Sequence, residues 1–474
     1  MKTYSLTEKI QQNTSRLIIL FSFIALIPII WISFYAHPSA DDYNFSELYT
    51  GNAAQNGDGI FAVLIAACKT AVFYYNNWQG CFSCSFLNSL QPGIWGDSEQ
   101  YYFLSTAFLC LFIFFGIYVF LKELFYTAMW DTKYIFSISL ITFMTVIEGF
   151  PSPNQGLFWH TGAMAYLPFA MLLLIQAALC LSFHRSSNMR IGKVLLGIVN
   201  AFILSGGNQI TSFLGILVSL GYVVFILIRK SWNQLYAYVL WTLTSIVTFI
   251  FVMVAPGTSN RAASMNSMPV FKTIILSVIN STVDFARYAS SYILLLLLLL
   301  FILTHKKLVH DKNLHFFKFR YLIVMIILAF GLYCASMCVT LYAGGYSGEG
   351  RVHDLRFELI ILLYVCIFLY FNACVSAYIY QHEGLLTACN NLKLAVKNCF
   401  SASQICATIT LCSCIAVLWI LCFSTRVSVS YSSTVELLSG EAQAYDAERD
   451  QCIGMDLNDP VNTPDMIYNP TVSQ

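Results

Sequence analysis

The stretch that decides the fold is LIILFSFIALIPIIWISFYAHPSADDYNFSEL, residues 17–48. Residues 17–36 are almost entirely apolar and have the length of one bilayer crossing. This run is too long for the apolar region of a cleaved signal peptide, and Pro38 makes the segment after it a poor cleavage site. We therefore expect a retained signal anchor that places two adjacent carboxylates, Asp41 and Asp42, where the first helix leaves the membrane.

The composition of the whole chain agrees with this beginning. Of the 474 residues, 58% are hydrophobic and only 10% are charged, and the mean hydropathy is +0.68. Soluble domains are usually about a quarter charged, so the predicted fold class is an all-α polytopic membrane protein. The net charge of +1 and the lack of a basic tract exclude a nucleic-acid partner.

Apolar segments of membrane-spanning character recur along the chain, and we predict about eleven transmembrane helices. They cover residues 17–36, 103–121, 134–147, 163–183, 194–204, 211–228, 235–254, 290–303, 321–342, 359–380 and 401–423. The region 194–228 is interrupted at SGGNQ, which indicates a tight hairpin or a broken helix. The half-apolar segment 59–78 is typical of a helix lying in the membrane interface.

Basic residues predict the orientation. With a cytoplasmic N-terminus, 17 of the 25 lysines and arginines fall on the cytoplasmic side, and most acidic residues fall outside. The predicted organisation is a cytoplasmic segment (1–16), a transmembrane domain (17–424) whose first outer loop (37–101) carries interfacial helices, and an extracytoplasmic tail (425–474).

Polar and aromatic residues of functional interest gather on the predicted outer face. Besides Asp41 and Asp42, the candidates are Trp78, Glu148, Trp159, His160, Asn208, Gln209, Arg261, Arg351 and Arg356. A carboxylate can accept a proton from a sugar hydroxyl. Arginine binds phosphate bidentately and stays charged, and indole rings offer flat apolar surfaces to sugars. If both aspartates face one cavity, their repulsion favours one of them as a base.

Each candidate also has a structural interpretation. Asp41 can cap a helix, Glu148 can be a solvated helix end, Trp159 can be an interfacial anchor, and Arg261 or Arg351 can reach lipid phosphates. Cys81 and Cys84 form a C-x-x-C in the first loop, which is a redox or metal pair, a local disulfide or two ordinary thiols.

The order of several short motifs resembles a known family. ADDY (40–43), WQG (78–80), GLFWHTGAMAYLP (156–168), SGG (205–207), APGTSNR (255–261) and a late GR (350–351) occur in this sequence. Together they resemble the GT-C superfamily of integral-membrane glycosyltransferases, and more closely a bacterial family grouped with the enzymes that decorate O-antigen and surface polysaccharides.

The resemblance implies a polyprenyl-phosphate-linked sugar as donor, a glycan or lipid as acceptor, contact with membrane lipids, and a place in the bacterial inner membrane. Asp41 or Asp42 matches the family's first-loop aspartate, the expected base, while Arg261 and Arg351 match positions near the donor phosphate. Related sequences often carry glutamate after the glycine break, where this chain has Asn208 and Gln209. No cofactor is expected with certainty, and a divalent metal is left open.

Two other function classes fit the same sequence. A transporter or flippase for a lipid-linked sugar also needs charged residues facing a cavity, although near the middle of the membrane rather than at one face. A polysaccharide polymerase or ligase shares the lipid donor and the outer arginines.

Overall fold

The structure is a computed structural model that describes residues 6–39, 41–95, 100–125, 132–185, 191–289, 291–310, 317–423 and 428–452. Over these ranges the chain forms helices and no β-strand. This confirms the predicted all-α class. The predicted site residues all lie within the described ranges, whereas half of the predicted tail lies outside them.

The helices follow one another with short connections. They are α1 (Leu6–Ile32), α2 (Asp41–Glu47), α3 (Thr50–Gln55), α4 (Ile60–Asn77), α5 (Phe82–Asn88), α6 (Leu104–Phe125), α7 (Thr132–Glu148), α8 (His160–Met164), α9 (Leu167–His184), α10 (Ile191–Ser205), α11 (Gln209–Arg229), α12 (Trp232–Met253), α13 (Pro256–Ala263), α14 (Val270–Tyr288), α15 (Ser291–His310), α16 (Phe319–Gly344), α17 (Gly350–Gln381), α18 (Glu383–Cys399), α19 (Ala402–Phe423), α20 (Val429–Ser439) and α21 (Glu441–Cys452).

Many of these helices are suited to cross a membrane. Within the described residues, nine are long and apolar enough, or ten if α14 and α15, which meet at a 70° bend, form one span. Helix α4 is among the nine, although we predicted an interfacial helix there, and α7 and α10 are shorter apolar helices. The chain therefore fits a multi-pass membrane protein, while the number eleven stays a prediction.

Helix α7 forms the centre of the bundle. Every residue from Ser137 to Glu148 is buried, although the helix carries several hydroxyls. The side chains of Ser139, Thr142 and Thr145 each donate to the backbone carbonyl four residues earlier, at 2.7–2.8 Å. This local bond satisfies each hydroxyl without an outside partner, so an apolar interior can accept the helix.

Small and hydroxyl-bearing residues join the long helices. A Cβ added at Gly116 of α6 would lie 2.5 Å from the Sδ atom of Met171 in α9, so only glycine permits this approach. Thr14 in α1 shares a hydrogen bond of 3.0 Å with Ser413 in α19. The first and the last long helices are thus in direct contact.

The connections that follow α1 gather with other loops at one end of the bundle. Ser83 donates to the carbonyl of Gly206 at 2.9 Å, and Gly80 donates to Thr258 Oγ1 at 2.9 Å. The break at SGGNQ is a tight hairpin, because α10 and α11 contact each other and both contact α9 and α12. The residues predicted for one face of the membrane therefore lie at one end, and the side on which that end lies stays a prediction.

Candidate functional site at the first-loop end

Asp42 is fully buried and hydrogen-bonded on both carboxylate oxygens. Its Oδ1 accepts from the backbone N–H of Thr161 at 2.8 Å and from the Thr161 hydroxyl at 2.5 Å. Its Oδ2 accepts from the hydroxyl of Tyr102 at 2.7 Å and from the backbone N–H of Ser39 at 3.1 Å. Four donors offset the cost of burying a charge. They also occupy the positions at which a carboxylate would receive a substrate proton.

His160 extends this network. Its backbone N–H donates to the Tyr102 hydroxyl at 2.8 Å. Its ring Nε2 lies 3.2 Å from the carbonyl of Leu87 and donates to it, so Nδ1 accepts from the Ser105 hydroxyl at 2.8 Å. The ring is 3% exposed and engaged on both nitrogens. His160 and Asp42 therefore fix the first loop to α6 and α8 rather than face a ligand.

Asp41, by contrast, is exposed at the start of α2. Its Oδ1 accepts one bond of 3.3 Å from the side chain of Asn44. The carbonyl of Asn44 in turn accepts from the hydroxyl of Tyr74 at 2.9 Å, and the charge of Asp41 acts on that hydroxyl. Asp41 thus lies beside the last turn of α4 with most of its acceptor capacity free.

A first arginine lies next to an indole at the end of α4. The guanidinium carbon of Arg261 is 5.9 Å from the centre of the Trp78 ring, and Arg261 Nη1 donates to Gln79 Oε1 at 2.6 Å. The close approach of α13 to the end of α4 depends on Gly257, where an added Cβ would lie 2.6 Å from the backbone nitrogen of Trp78. Helix α13 can therefore rest directly on the end of α4.

A second arginine forms a similar pair. The guanidinium carbon of Arg351, at the start of α17, is 5.1 Å from the centre of the Trp159 ring. Trp159 Nε1 donates to the carbonyl of Ser39 at 3.2 Å, two residues before Asp41. Over the described residues, the Arg351 guanidinium has no hydrogen bond or ion pair. It is half-buried beside the indole.

Both pairs lie near α5. Burial raises the pKa of the Cys84 thiol, and both Arg261 and Arg351 oppose that increase. Both guanidinium groups are therefore close enough to act on one thiol. Asp41 follows Ser39, the acceptor of Trp159, by two residues, and its charge acts on Tyr74, which precedes Trp78 by four residues. We call Asp41, Trp78, Trp159, Arg261 and Arg351 the arginine–tryptophan face.

The two cysteines of the C-x-x-C are free and buried. Burial raises the pKa of Cys81 to about 12, which the charge of Arg261 only partly offsets. A thiol reacts as its thiolate, so these cysteines are not activated. Over the described residues, no group of three or more His, Cys, Asp or Glu side chains is arranged to hold a metal ion.

Two predicted residues serve as links between helices. Glu148 is fully buried at the end of α7, and its Oε2 accepts from the backbone N–H of Ser430 at 2.9 Å. Asn208 caps α11, because its Oδ1 accepts from the backbone N–H of Thr211 at 3.0 Å, and its Nδ2 donates to the carbonyl of Ala165 at 2.9 Å. Neither side chain belongs to the arginine–tryptophan face.

Arg356 is also outside that face. It is 1% exposed and donates from Nη1 to the carbonyl of Ser347 and from Nη2 to the carbonyl of Ser336 at 3.0 Å and to Thr340 Oγ1 at 2.5 Å. These bonds hold α16 against α17. Gln209 is half-buried in the first turn of α11.

Sequence reasoning missed several positioning residues. Tyr102 joins Asp42 to His160, and Gln79 holds Arg261. Asp284 and Tyr333 form a further pair that was missed, in which Asp284 Oδ2 accepts from the buried Tyr333 hydroxyl at 2.8 Å. A single tyrosine in a sequence rich in aromatic residues does not stand out as a positioning residue. Gln79, by contrast, directly follows Trp78 in the motif WQG and could have been identified from it.

No family model, no curated protein and no solved structure matches the chain. The assignment of a function therefore depends on the chemistry of the arginine–tryptophan face.

Proposed function

We propose that this protein is a membrane glycosyltransferase that moves a sugar from a polyprenyl-phosphate-linked donor to a glycan or lipid acceptor at the first-loop end of the bundle. The observation that carries the proposal is the pair of guanidinium–indole contacts, Arg261–Trp78 and Arg351–Trp159, at the end of the bundle where the first loop also exposes the carboxylate of Asp41. The superfamily resemblance points to the same chemistry.

The donor phosphate would bind between the arginines. The guanidinium of Arg351 makes no hydrogen bond to the described residues, and Arg261 uses one N–H on Gln79. Both guanidinium groups therefore retain N–H donors for phosphate oxygens. Trp78 is 49% exposed beside Arg261, so its ring face is open to a sugar. The positive charges of the two arginines would stabilise the leaving phosphate.

Asp41 is the better base of the two aspartates. Asp42 is fully buried with four donors on its carboxylate, whereas Asp41 is exposed and, among the described residues, accepts only from Asn44. In the proposed step, the acceptor hydroxyl oxygen bonds to the anomeric carbon and its proton goes to Asp41. The bond from that carbon to the phosphate oxygen breaks, and its electron pair leaves with polyprenyl phosphate, beside Arg261 and Arg351.

The test is deletion of the gene followed by complementation, read by mass spectrometry of the cell's glycans and lipid-linked sugars. Deletion should remove one sugar from a glycan or lipid and raise the level of its polyprenyl-phosphate donor. Wild-type protein should restore the sugar, and Asp41→Asn should lower transfer about 100-fold or more, the usual contribution of a general base.

Asp58→Asn is the matched control, because Asp58 is an exposed carboxylate of the same loop. It should restore transfer fully. Unchanged glycans and lipids after deletion would contradict the proposal as a whole. Full transfer by Asp41→Asn would contradict only the assignment of Asp41 as the base.

A transporter of the same lipid-linked sugar is a second candidate. One observation favours it: Asp354, Arg356 and Glu358 are all buried within the candidate span α17, and buried charges of this kind are typical of transport pathways. Translocation of a labelled lipid-linked sugar by proteoliposomes without any acceptor would support the transporter. Transfer that requires the acceptor would support the enzyme.

A further inference from the structure

Helix α18 differs from the apolar helices on either side of it, because it is amphipathic. One set of its residues, spaced by three or four positions, is apolar: Leu385, Ala388, Leu392, Val396 and Cys399. A second set with the same spacing falls on the opposite side of the helical repeat and is polar: Glu383, Thr387, Asn390, Lys393 and Lys397. Leu386 and Leu394 are the two leucines outside this pattern. A helix of this kind normally turns its apolar side to a core.

Within the described chain, the apolar side of α18 has little cover. Leu385 is 42% exposed, Leu392 is 67% exposed and Val396 is 40% exposed. An apolar surface of this kind on a folded protein marks a contact with another protein or with a membrane. The position of α18 in the bundle decides between the two.

The chain connections determine how α18 lies. Helix α17 ends one residue before α18, and α19 begins after two further residues. Both neighbours are candidate membrane spans, so both ends of α18 are attached at the same surface of the membrane. With 17 residues, α18 is about 25 Å long. A helix of that length with both ends attached at one surface lies along the surface rather than standing away from it.

The distance that α18 has to bridge agrees with this orientation. Helix α15 packs against both α17 and α19, so it lies between them. At the usual distance between packed helices, α17 and α19 are then roughly 16 to 20 Å apart. Helix α18 can therefore cross the end of α15 and join the two spans.

Aromatic and basic residues mark the level of the bilayer surface at this end. Tyr378 and Tyr380, in the last turn of α17, are exposed, and tyrosines are typical of the membrane interface. The ring of Phe319, at the start of α16, is 6.1 Å from the Tyr378 ring. The exposed Lys318 and Arg320 flank Phe319, so they lie at a similar level. Helix α18 begins three residues after Tyr380, and thus at the depth of the lipid headgroups.

The charges at this surface favour anionic lipid. Lys318 and Arg320 are exposed beside the end of α17, and the sequence places Lys393 and Lys397 in the polar set of α18, with Glu383 as its one acidic residue. Basic residues beside a bilayer surface attract anionic headgroups. The apolar side of α18 also adjoins two spans whose exposed apolar side chains face lipid in a multi-pass protein. Lipid can therefore cover the apolar side and pair with the basic residues at once.

We infer that α18 is a membrane-surface helix that binds the anionic lipid headgroups of one leaflet. Helix α17 begins with Arg351 at the arginine–tryptophan face and runs for 32 residues, about 48 Å. The leaflet that α18 binds is therefore the one at the opposite end of the bundle. The apolar side of α18 enters the outer part of the acyl region, and its polar side meets the headgroups. This surface does not depend on sugar transfer.

Photo-crosslinking of the full-length protein in lipid vesicles tests the orientation. A diazirine amino acid in place of Leu392 should form adducts with lipid acyl chains, read by mass spectrometry. The same amino acid in place of Asn390, an exposed residue of the polar set, is the matched control and should form several-fold fewer of them. Leu385, on the same side as Leu392, is the second labelling position if the first variant does not fold.

The lipid preference is tested in vesicles of equal parts phosphatidylcholine and phosphatidylglycerol. The adducts formed at position 392 should be enriched in phosphatidylglycerol. Lys393→Gln combined with Lys397→Gln should lower this enrichment several-fold. Lys272→Gln, which changes an exposed lysine of α14, should leave it unchanged.

Four outcomes would overturn the inference. Equal acyl labelling from positions 392 and 390 would show that α18 does not turn one side to the bilayer. Absence of lipid adducts from positions 392 and 385 would show that this side faces water. Crosslinks from these positions to a second copy of the chain would show a protein interface instead. Equal phosphatidylglycerol enrichment in the wild type and the double lysine variant would contradict the binding of anionic headgroups.

Discussion

Asp41 and Asp42 are neighbours in the chain, yet their side chains have opposite surroundings. Adjacent residues of a helix point about 100° apart, so at the start of α2 one side chain enters the network of Tyr102 and Thr161 and the other reaches solvent. The sequence showed that both lie after the first span. It could not show which one is buried, because that depends on where α8 lies.

This contrast gives a prediction for stability. Asp42→Ala should lower the free energy of unfolding by about 3 kcal/mol, because the buried donors of Tyr102 and Thr161 lose their acceptor. Asp41→Ala should change it by less than about 0.5 kcal/mol, as surface substitutions usually do. Thermal unfolding in detergent micelles measures both. Equal losses in the two variants would contradict the assignment of Asp42 as the structural aspartate.

Arg351 gives a second prediction at the same scale. Arg351→Lys keeps the charge but loses the planar fork that stacks on Trp159 and binds phosphate bidentately. We expect weaker donor binding, about 10-fold or more, with unchanged thermal stability, measured as the donor concentration that gives half-maximal transfer. Arg287→Lys, an exposed arginine in α14, is the control. A loss of stability in Arg351→Lys would instead indicate a structural arginine.

At the scale of the elements, apolar length predicted most helices correctly, because a run of apolar residues in lipid has no alternative to a helix. Helix α4 shows the limit of that reasoning: Lys69 and the tyrosines suggested an interfacial helix, whereas its length and composition also suit a span. The approach of α13 to the end of α4 could not be predicted, since it joins segments far apart in the chain through backbone contacts at one glycine.

Gly257 tests the importance of that approach. Gly257→Ala places a Cβ 2.6 Å from backbone atoms of α4, which cannot move aside as a flexible side chain can. We expect α13 to shift, a loss of about 1–3 kcal/mol in stability and reduced donor binding. Gly221→Ala is the control, because no atom lies within 4 Å of its added Cβ. Unfolding measurements on both should show a loss only for Gly257→Ala.

At the scale of the whole molecule, the last helices return to the first loop. Asp446 in α21 accepts from His37 Nε2 at 2.9 Å, and Arg449 donates to the carbonyl of Pro38 at 2.7 Å. The sequence identified a polar tail but not where it docks. Helix α21 holds the segment that leads into Asp41, so the geometry of the first loop depends on this helix.

Breaking this contact should loosen the first loop. Asp446→Ala should increase amide hydrogen exchange over residues 37–47, because those residues lose one of their anchors. Hydrogen exchange read by mass spectrometry measures the effect. Glu441→Ala, which removes an exposed carboxylate from the first turn of α21, should leave exchange unchanged. Equal exchange in Asp446→Ala and the wild type would show that α21 does not restrain the loop.

The pairing of Thr14 with Ser413 has a consequence for biosynthesis. The two partners are 399 residues apart, and at ordinary rates of translation the ribosome needs roughly 20 to 80 s between them. During that interval Thr14 in α1 lacks its partner in α19. The packing of α1 against α19 can therefore form only after almost the whole chain has been synthesised.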